Sequence, residues 1–337
     1  MSIFNFSAVA VVLAAAVALA LSIAQAVSIL IGTDTAPDTR LVDFDKKANT
    51  IQIISLGSSH SIGFHFPSFG VDGHSLFSDG QDIKTSEFKL RAIISRTPQL
   101  KCLLFPLSPG VLTYNMPQKG LHQQAALNYT PWPNSVAAFA PGEWFVFLRS
   151  KLVKRLLETR YLIEQHFLRP VNQASKSSPS ACTLYHNDPS KADEDGIRHG
   201  YKQHPVRREC FAELAVKTSE SFLRNSSSDP KVRFYNIEKL RKVAQHLESY
   251  NADLILVAVP LAKEYLSLVS FQEFQDLRHL RAALASEPNV SIYDFSKFFH
   301  DKIDQDNLYF FDDDHLTQAG AEVFSKALRE EIPQCTG

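Results

Sequence analysis

The chain has 337 residues, 45% of them hydrophobic and 21% charged, which is enough apolar material for a sizeable core and too much for a mainly disordered chain. Its 35 Lys and Arg against 36 Asp and Glu leave a formal net charge of -1, so no global field draws it to nucleic acid or to an anionic surface. The length fits one large domain, or one domain carrying an insertion.

Ser7 to Gly32 contains no charged residue and is dominated by Ala, Val, Leu and Ile. A helix of about 20 apolar residues spans the hydrocarbon core of a bilayer, so residues 1–33 read as a transmembrane anchor. Two rivals stand beside this reading: a buried helix, and a cleaved secretory signal with Ala24 and Ala26 around Gln25 as an Ala-x-Ala site. Against cleavage, Val27 to Ile31 continue the apolar run, and no Lys or Arg precedes it. Arg40, Lys46 and Lys47 follow the run, and the positive-inside rule read literally would hold the body in the cytoplasm. They are interleaved with Asp34, Asp38, Asp43 and Asp45, which makes the orientation signal weak.

From residue 34 onward the hydrophobic pattern alternates between strands and helices. Ile51–Leu56, Cys102–Leu107, Asp253–Pro260 and Val290–Asp294 are short apolar runs, the pattern of central parallel strands covered on both faces. Helical periodicity marks Glu87–Ser95, Ile237–Tyr250, Phe271–Ala285 and Thr317–Glu331. Strands separated by helices imply βαβ crossovers and an open α/β/α sandwich. The rhythm breaks at residues 143–230. There a Leu-, Phe-, Arg- and Lys-rich helix (Glu143 to about Arg169), a polar loop (Asn172 to His204) and an amphipathic helix (Glu209 to Leu223) predict a helical insertion of the kind that forms lids or binding loops.

The four cysteines, Cys102, Cys182, Cys210 and Cys335, match no metal-ligand spacing. Cys102 lies in an apolar strand and is expected to be a buried free thiol. Cys182 and Cys210 flank a polar stretch and can pair in an oxidising compartment.

Two segments carry chemistry. Gly57-Ser58-Ser59-His60-Ser61 follows the first strand, at the carboxyl end where ligands bind in open α/β sheets. A glycine there allows a sharp turn, and Ser59 could attack a carbonyl while its own N–H faces the oxyanion. The plainer alternative is a turn that caps a helix. Far downstream stand Asp312, Asp313, Asp314, His315 and Thr317. Asp312 and His315, three apart, share one side of a turn, as a serine's base and its orienting carboxylate require, and Thr317 is placed to cap the final helix. A solvated acidic loop or a metal site built on the Asp cluster are the alternatives, the latter weakened by the lack of a second His or Cys. Asp313 and Asp314 are given no role, and His60 is expected beside the site rather than as the base.

Gly57-Ser58-Ser59 and Asp312-Asp313-Asp314-His315, in this order at opposite ends of one α/β domain, resemble the SGNH/GDSL hydrolase superfamily. Its members place Gly-Asp-Ser after the first strand and Asp-x-x-His before the last helix. Phe69 to Ser75 looks like the family's second block, which implies Gly73 as an oxyanion donor. Where the family carries Gly-x-Asn-Asp after the third strand, this chain has Ser108-Pro109-Gly110, so Ser108 stands where the Asn would donate. The likeness covers roughly residues 50–115 and 230–332, and is nearest to membrane-anchored bacterial members linked to O-acylation of cell-surface glycans.

The resemblance implies a flavodoxin-like α/β/α sandwich with a parallel sheet and an extracytoplasmic or periplasmic body. It implies a serine esterase or O-acyl(acetyl)transferase acting on a carbohydrate ester without a cofactor, with Ser59 as nucleophile, His315 as base and Asp312 orienting it. The implied partners are the membrane and a membrane-bound acyltransferase, with no nucleic acid. The competing expectation is an inactive carbohydrate-binding or assembly protein on the same fold.

Overall fold

The computed structural model describes residues 39–78, 80–114, 208–227, 229–302 and 306–337. The apolar N-terminal run, Cys182 and the first helix and polar loop of the expected insertion lie outside these residues. Among the described residues no helix is long and apolar enough to cross a membrane.

After a short helix α1 (Thr39–Lys47), the chain enters β1 (Ile53–Ser55), a 3-10 turn (Ser59–Gly63), α2 (Phe66–Phe69), β2 (Gly73–Ser75), α3 (Ile83–Ile93) and β3 (Cys102–Leu107). It returns at α4 (Phe211–Asn225) and α5 (Pro230–Glu248), then β4 (Asp253–Ala258), α6 (Lys263–Ala283), β5 (Val290–Asp294), α7 (Asp306–Tyr309), α8 (Gln318–Glu331) and α9 (Pro333–Thr336). The five strands form one parallel sheet in the order β2-β1-β3-β4-β5. The fifth strand is the edge strand β2, which carries no apolar run and so gave no strand signal; in the sequence it read only as a motif.

Period-two alternation decides which helix covers which face. Leu103, Phe105, Leu107, Leu254, Leu256 and Ala258 point into a core shared with α3, α5 and the end of α6. Cys102, Leu104, Ile255 and Val257 point the other way, onto Phe69 of α2 and Ala321, Phe324 and Leu328 of α8. The sheet is thus covered on both faces, an α/β fold. In β4, Leu254, Ile255, Leu256 and Val257 are all fully buried. At roughly 1.5–3 kcal/mol per large apolar side chain, that strand alone outweighs any single surface feature.

Helix starts follow local chemistry. Asp82 caps α3 by accepting from the Thr85 N–H. Asp229 accepts from the Lys231 N–H ahead of Pro230, whose missing donor costs nothing at a first helical position. Thr317 accepts from the Gly320 N–H at 3.1 Å and starts α8. These caps explain why α3 and α5 begin four and seven residues earlier than the apolar periodicity alone indicates.

Cys102 is not a free thiol. It is bonded to Cys335, because the C-terminal α9 folds back under the start of β3, a proximity between residues 233 apart that no sequence spacing displays. Cys210 is disulfide-bonded as well. A bridge closing so long a loop restricts the unfolded chain strongly. Replacing both Cys102 and Cys335 by Ala should therefore lower unfolding free energy by roughly 2–5 kcal/mol, read from urea denaturation of the oxidised protein. An unchanged midpoint would show that the bridge does not tie the last helix to the sheet.

Candidate active site

The chain passes from β1 outward to β2 and then back across to β3, so the loops leaving β1 and β3 diverge at their carboxyl ends. Such a switch point opens a crevice. A cavity of about 240 Å³ lies there, lined by Ser58, Ser59 and His60 after β1, Gly80 and Gln81 after β2, and residues 108–111 and Tyr114 after β3. Thr218 and Ser221 of α4, Ser226 directly after that helix, and Tyr265 of α6 complete the lining.

Gly57 makes the first wall. Its φ is +129°, a region that side chains other than glycine's avoid, and a Cβ there would lie 2.9 Å from Cδ and Cγ of Pro106. Pro106 is tolerated inside β3 because β1 pairs β3 only as far as Ser55↔Leu104, so the position without an N–H falls where β1 has ended. The chain thus crosses over the Pro106 ring and delivers Ser59 as the first residue of the 3-10 turn.

The second wall is a closed loop. An isolated antiparallel bridge pairs Phe310 with Leu316, the Phe311 N–H donates to the His315 carbonyl at 2.9 Å, and the Thr317 N–H to the Tyr309 carbonyl at 3.0 Å. Phe310, Phe311 and Leu316 anchor both arms in the core under α8. Gly320 permits this closeness, since a Cβ there would collide with the Tyr309 carbonyl oxygen. At the tip, Asp312 Oδ1 accepts from the His315 N–H at 2.8 Å and from the Asp314 N–H at 3.2 Å, fixing the turn with its side chain.

These two walls bring Ser59, His315 and Asp312 together. His315 Nε2 lies 2.8 Å from Ser59 Oγ, and His315 Nδ1 lies 2.9 Å from Asp312 Oδ1. Asp314, given no role from the sequence, is also at the ring, its Oδ1 2.7 Å from the same Nδ1. The three-residue spacing singled out Asp312, but this segment is a pinched loop in which the neighbouring Asp314 converges on the same ring. His60 stacks on His315, with ring centroids 5.1 Å apart and planes inclined by 21°. Its Nδ1 is 3.1 Å from Ser58 Oγ and its Nε2 3.5 Å from Asp314 Oδ2.

Burial disfavours charge on His315, but Asp312 and Asp314 overcome it and hold its pKa well above the ordinary imidazole value. Burial likewise works against the Asp314 carboxylate, and His315 and His60 outweigh it, holding its pKa well below the usual range. Asp313 is shifted in the opposite direction from Asp314. Burial and the neighbouring Asp314 push its pKa up to about 7, and its Oδ2 has no hydrogen-bond partner among the described residues.

Of the two residues expected at the oxyanion, Ser108 lines the cavity with Ser59. Gly73 does not. It opens β2 opposite Ile53, at the amino end of the sheet, and it is a glycine because the Phe66 ring occupies the space a Cβ would need. The glycine that reaches the cavity from β2 is Gly80, with φ +64°. Its loop is held from below by the buried Lys89, which donates to the Leu76 carbonyl, Ser78 Oγ and Gln81 Oε1. Across the cavity the 108–114 loop is held by Asn236, whose amide donates to the carbonyls of Leu112 and Tyr114 at 2.9 Å each.

Asp312, Asp314 and His315 offer one donor atom each, all within 4.8 Å of one another, which is the spacing a metal ion would need. Three donors leave a tetrahedral or octahedral ion incomplete, and the His315 nitrogen involved is the one that faces both carboxylates. No protein-family model matches the chain, and no curated protein is similar to it.

Gly57→Ala should lower stability by roughly 1–3 kcal/mol through strained backbone and displace Ser59 from His315. Thermal unfolding combined with the rate at which a fluorophosphonate labels Ser59 checks both effects, and wild-type values for the two would refute this account of the turn.

Proposed function

We propose that the protein is a serine-dependent acyl ester hydrolase or O-acyltransferase of the SGNH/GDSL type, on a flavodoxin-like sandwich. The observation that carries the reading is the continuous contact from Ser59 Oγ through the His315 ring to a carboxylate. The strand order β2-β1-β3-β4-β5 is the doubly wound order in which ligands sit at the β1/β3 switch point, where this contact lies.

In the reaction, Ser59 Oγ attacks the ester carbonyl while its proton passes to His315 Nε2. The carboxylates at Nδ1 fix the ring's tautomer and stabilise the imidazolium so formed. His315 then returns the proton to the leaving alcohol, and the acyl group bound to Ser59 passes to water or to a second hydroxyl through the reverse sequence. The oxyanion is met by the Ser59 N–H together with Gly80 and Ser108 at the cavity wall. One missing oxyanion donor costs about 100- to 1000-fold in rate, so an acyl transferase or slow esterase fits a site with Ser108 in place of an amide better than a fast lipase does.

The cavity walls favour a carbohydrate. Its described lining offers the hydroxyls of Ser58, Ser108, Tyr114, Thr218, Ser221 and Tyr265 and no Lys or Arg, a set that exchanges hydrogen bonds with a neutral polyol. Disulfides at Cys102–Cys335 and at Cys210 favour an oxidising compartment, hence an extracytoplasmic body held by the apolar run at residues 7–32, beside a membrane-bound acyl donor. The rival reading, a carbohydrate-binding protein without turnover, draws on the absent amide donor.

A fluorophosphonate should modify Ser59, identified by peptide mapping, and His315→Ala should slow that modification by more than ~100-fold. Modification at Ser58 or Ser61, or none with the fold intact, would remove the hydrolase reading. Because His315 must be neutral to accept the proton and its pKa lies above 6.5, the labelling rate should rise with pH, with its midpoint above that value. A rate that is independent of pH would mean another group is the base.

A further inference from the structure

Nδ1 of His315 carries one proton and faces two carboxylate oxygens. The contact to Asp314 Oδ1, at 2.7 Å, is the shorter, and that to Asp312 Oδ1 is 2.9 Å. The two acceptors are not equivalent. Asp312 Oδ1 is already engaged by the backbone N–H groups of His315 and Asp314, so a third donor shares an oxygen that has two lone pairs. Asp314 Oδ1 carries no such backbone load among the described contacts, and its other oxygen lies toward His60 Nε2 at 3.5 Å. Ser58 Oγ lies 3.1 Å from His60 Nδ1, which leaves Nε2 as the ring nitrogen turned toward Asp314.

We infer that Asp314 is a second orienting carboxylate for His315, backed by His60, so that the base is clamped by two carboxylates where a three-member relay has one. Asp314 acts through His315 and is a positioning residue. It fixes the ring from the side opposite Ser59 and deepens the well for the imidazolium. The inference rests on the serine-hydrolase reading for its catalytic meaning, and on the loop geometry alone for the contact itself. Among the described residues, the charged and titratable groups around this ring and its carboxylates are Asp312, Asp313, Asp314 and His60, all from the β1 and 309–317 loops.

A single-carboxylate relay and a double clamp differ in what each substitution does. With one orienting carboxylate, Asp314→Asn is silent and Asp312→Asn removes the relay. With two, Asp314→Asn removes one negative charge from the ring and lowers the pKa of His315. Asp312→Asn then leaves a working remnant, because Asp314 still holds Nδ1–H. Only the double substitution matches the loss seen on removing the imidazole, since residues acting as one unit are not additive.

The test uses the full chain and two readouts, the His315 imidazole titration followed by NMR and the pH dependence of fluorophosphonate labelling at Ser59. Asp314→Asn should move both midpoints to lower pH. It should also cut the high-pH labelling plateau by roughly 10- to 100-fold, and Asp314→Glu should recover part of the midpoint shift. Asp312→Asn, which also loosens the turn, should retain a plateau at least about tenfold above the double variant. An Asp314→Asn protein with the wild-type titration midpoint would overturn the second clamp, as would an Asp312→Asn protein no better than the double variant. Should wild-type Ser59 resist labelling altogether, the hydrolase reading falls, while the His315 titration in Asp314→Asn still decides whether the carboxylate governs the ring.

Discussion

One imidazole ring joins the two ends of this domain. His315 touches a serine 256 residues away in the chain on one side and two acidic neighbours on the other, and each of these contacts depends on an element placed for it. Ser59 depends on the crossing of Gly57 over Pro106. Asp312 and Asp314 depend on a loop whose arms are bridged at Phe310 and Leu316 and rooted in the core beneath the sheet. Buried acids without a partner are costly. The ring supplies that partner, and loop, charge balance and relay therefore stand or fall together.

The supports around this contact are rigid rather than redundant. Thr317 starts α8 directly after the loop, Gly320 lets the first turn of that helix approach Tyr309, and at the far end of α8 the short α9 is tied by Cys335 to the start of β3. The strand that begins at this disulfide ends at Leu107, just before Ser108 and the cavity wall. The bridge thus connects, through one strand and one helix, the two elements whose relative position sets the distance from the Ser108 side of the cavity to His315. Positioning to within a fraction of an ångström is what the proposed proton transfer between Ser59 and His315 would require.

What the sequence makes legible here is whatever is carried by continuous apolar runs or by short spacing. β1, β3, β4 and β5 are recognisable from their β-branched and leucine-rich segments, and Ser59, Asp312 and His315 from a glycine turn after a strand and an acid-to-histidine step before a capped helix. β2 escapes because an edge strand of three residues, Gly73, His74 and Ser75, is bound by backbone hydrogen bonds and has no apolar face to announce it. The family likeness set the expected oxyanion glycine at Gly73, which opens that strand and packs against Phe66, whereas the glycine that reaches the cavity is Gly80. Asp314 escapes for a different reason. Helical spacing is a poor guide inside a pinched loop, where adjacent side chains can converge on one ring. Cys102 and Cys335 illustrate the general limit, since a pairing across 233 residues follows only from the topology that brings α9 under β3.

The raised pKa of His315 also ties the site to the stability of its loop. A histidine whose pKa is higher folded than unfolded stabilises the fold fully below its unfolded pKa, and that contribution is lost as the pH rises through the folded value. The loss falls on a segment where Asp312 and Asp313 are almost completely buried and Asp314 is held as the anion. On the proposed mechanism the reaction needs the neutral ring, while the loop is most stable with the charged one. The two carboxylates that raise the pKa of His315 therefore also make its neutral state the less stabilised one for this loop, whose arms are anchored in the core by Phe310, Phe311 and Leu316.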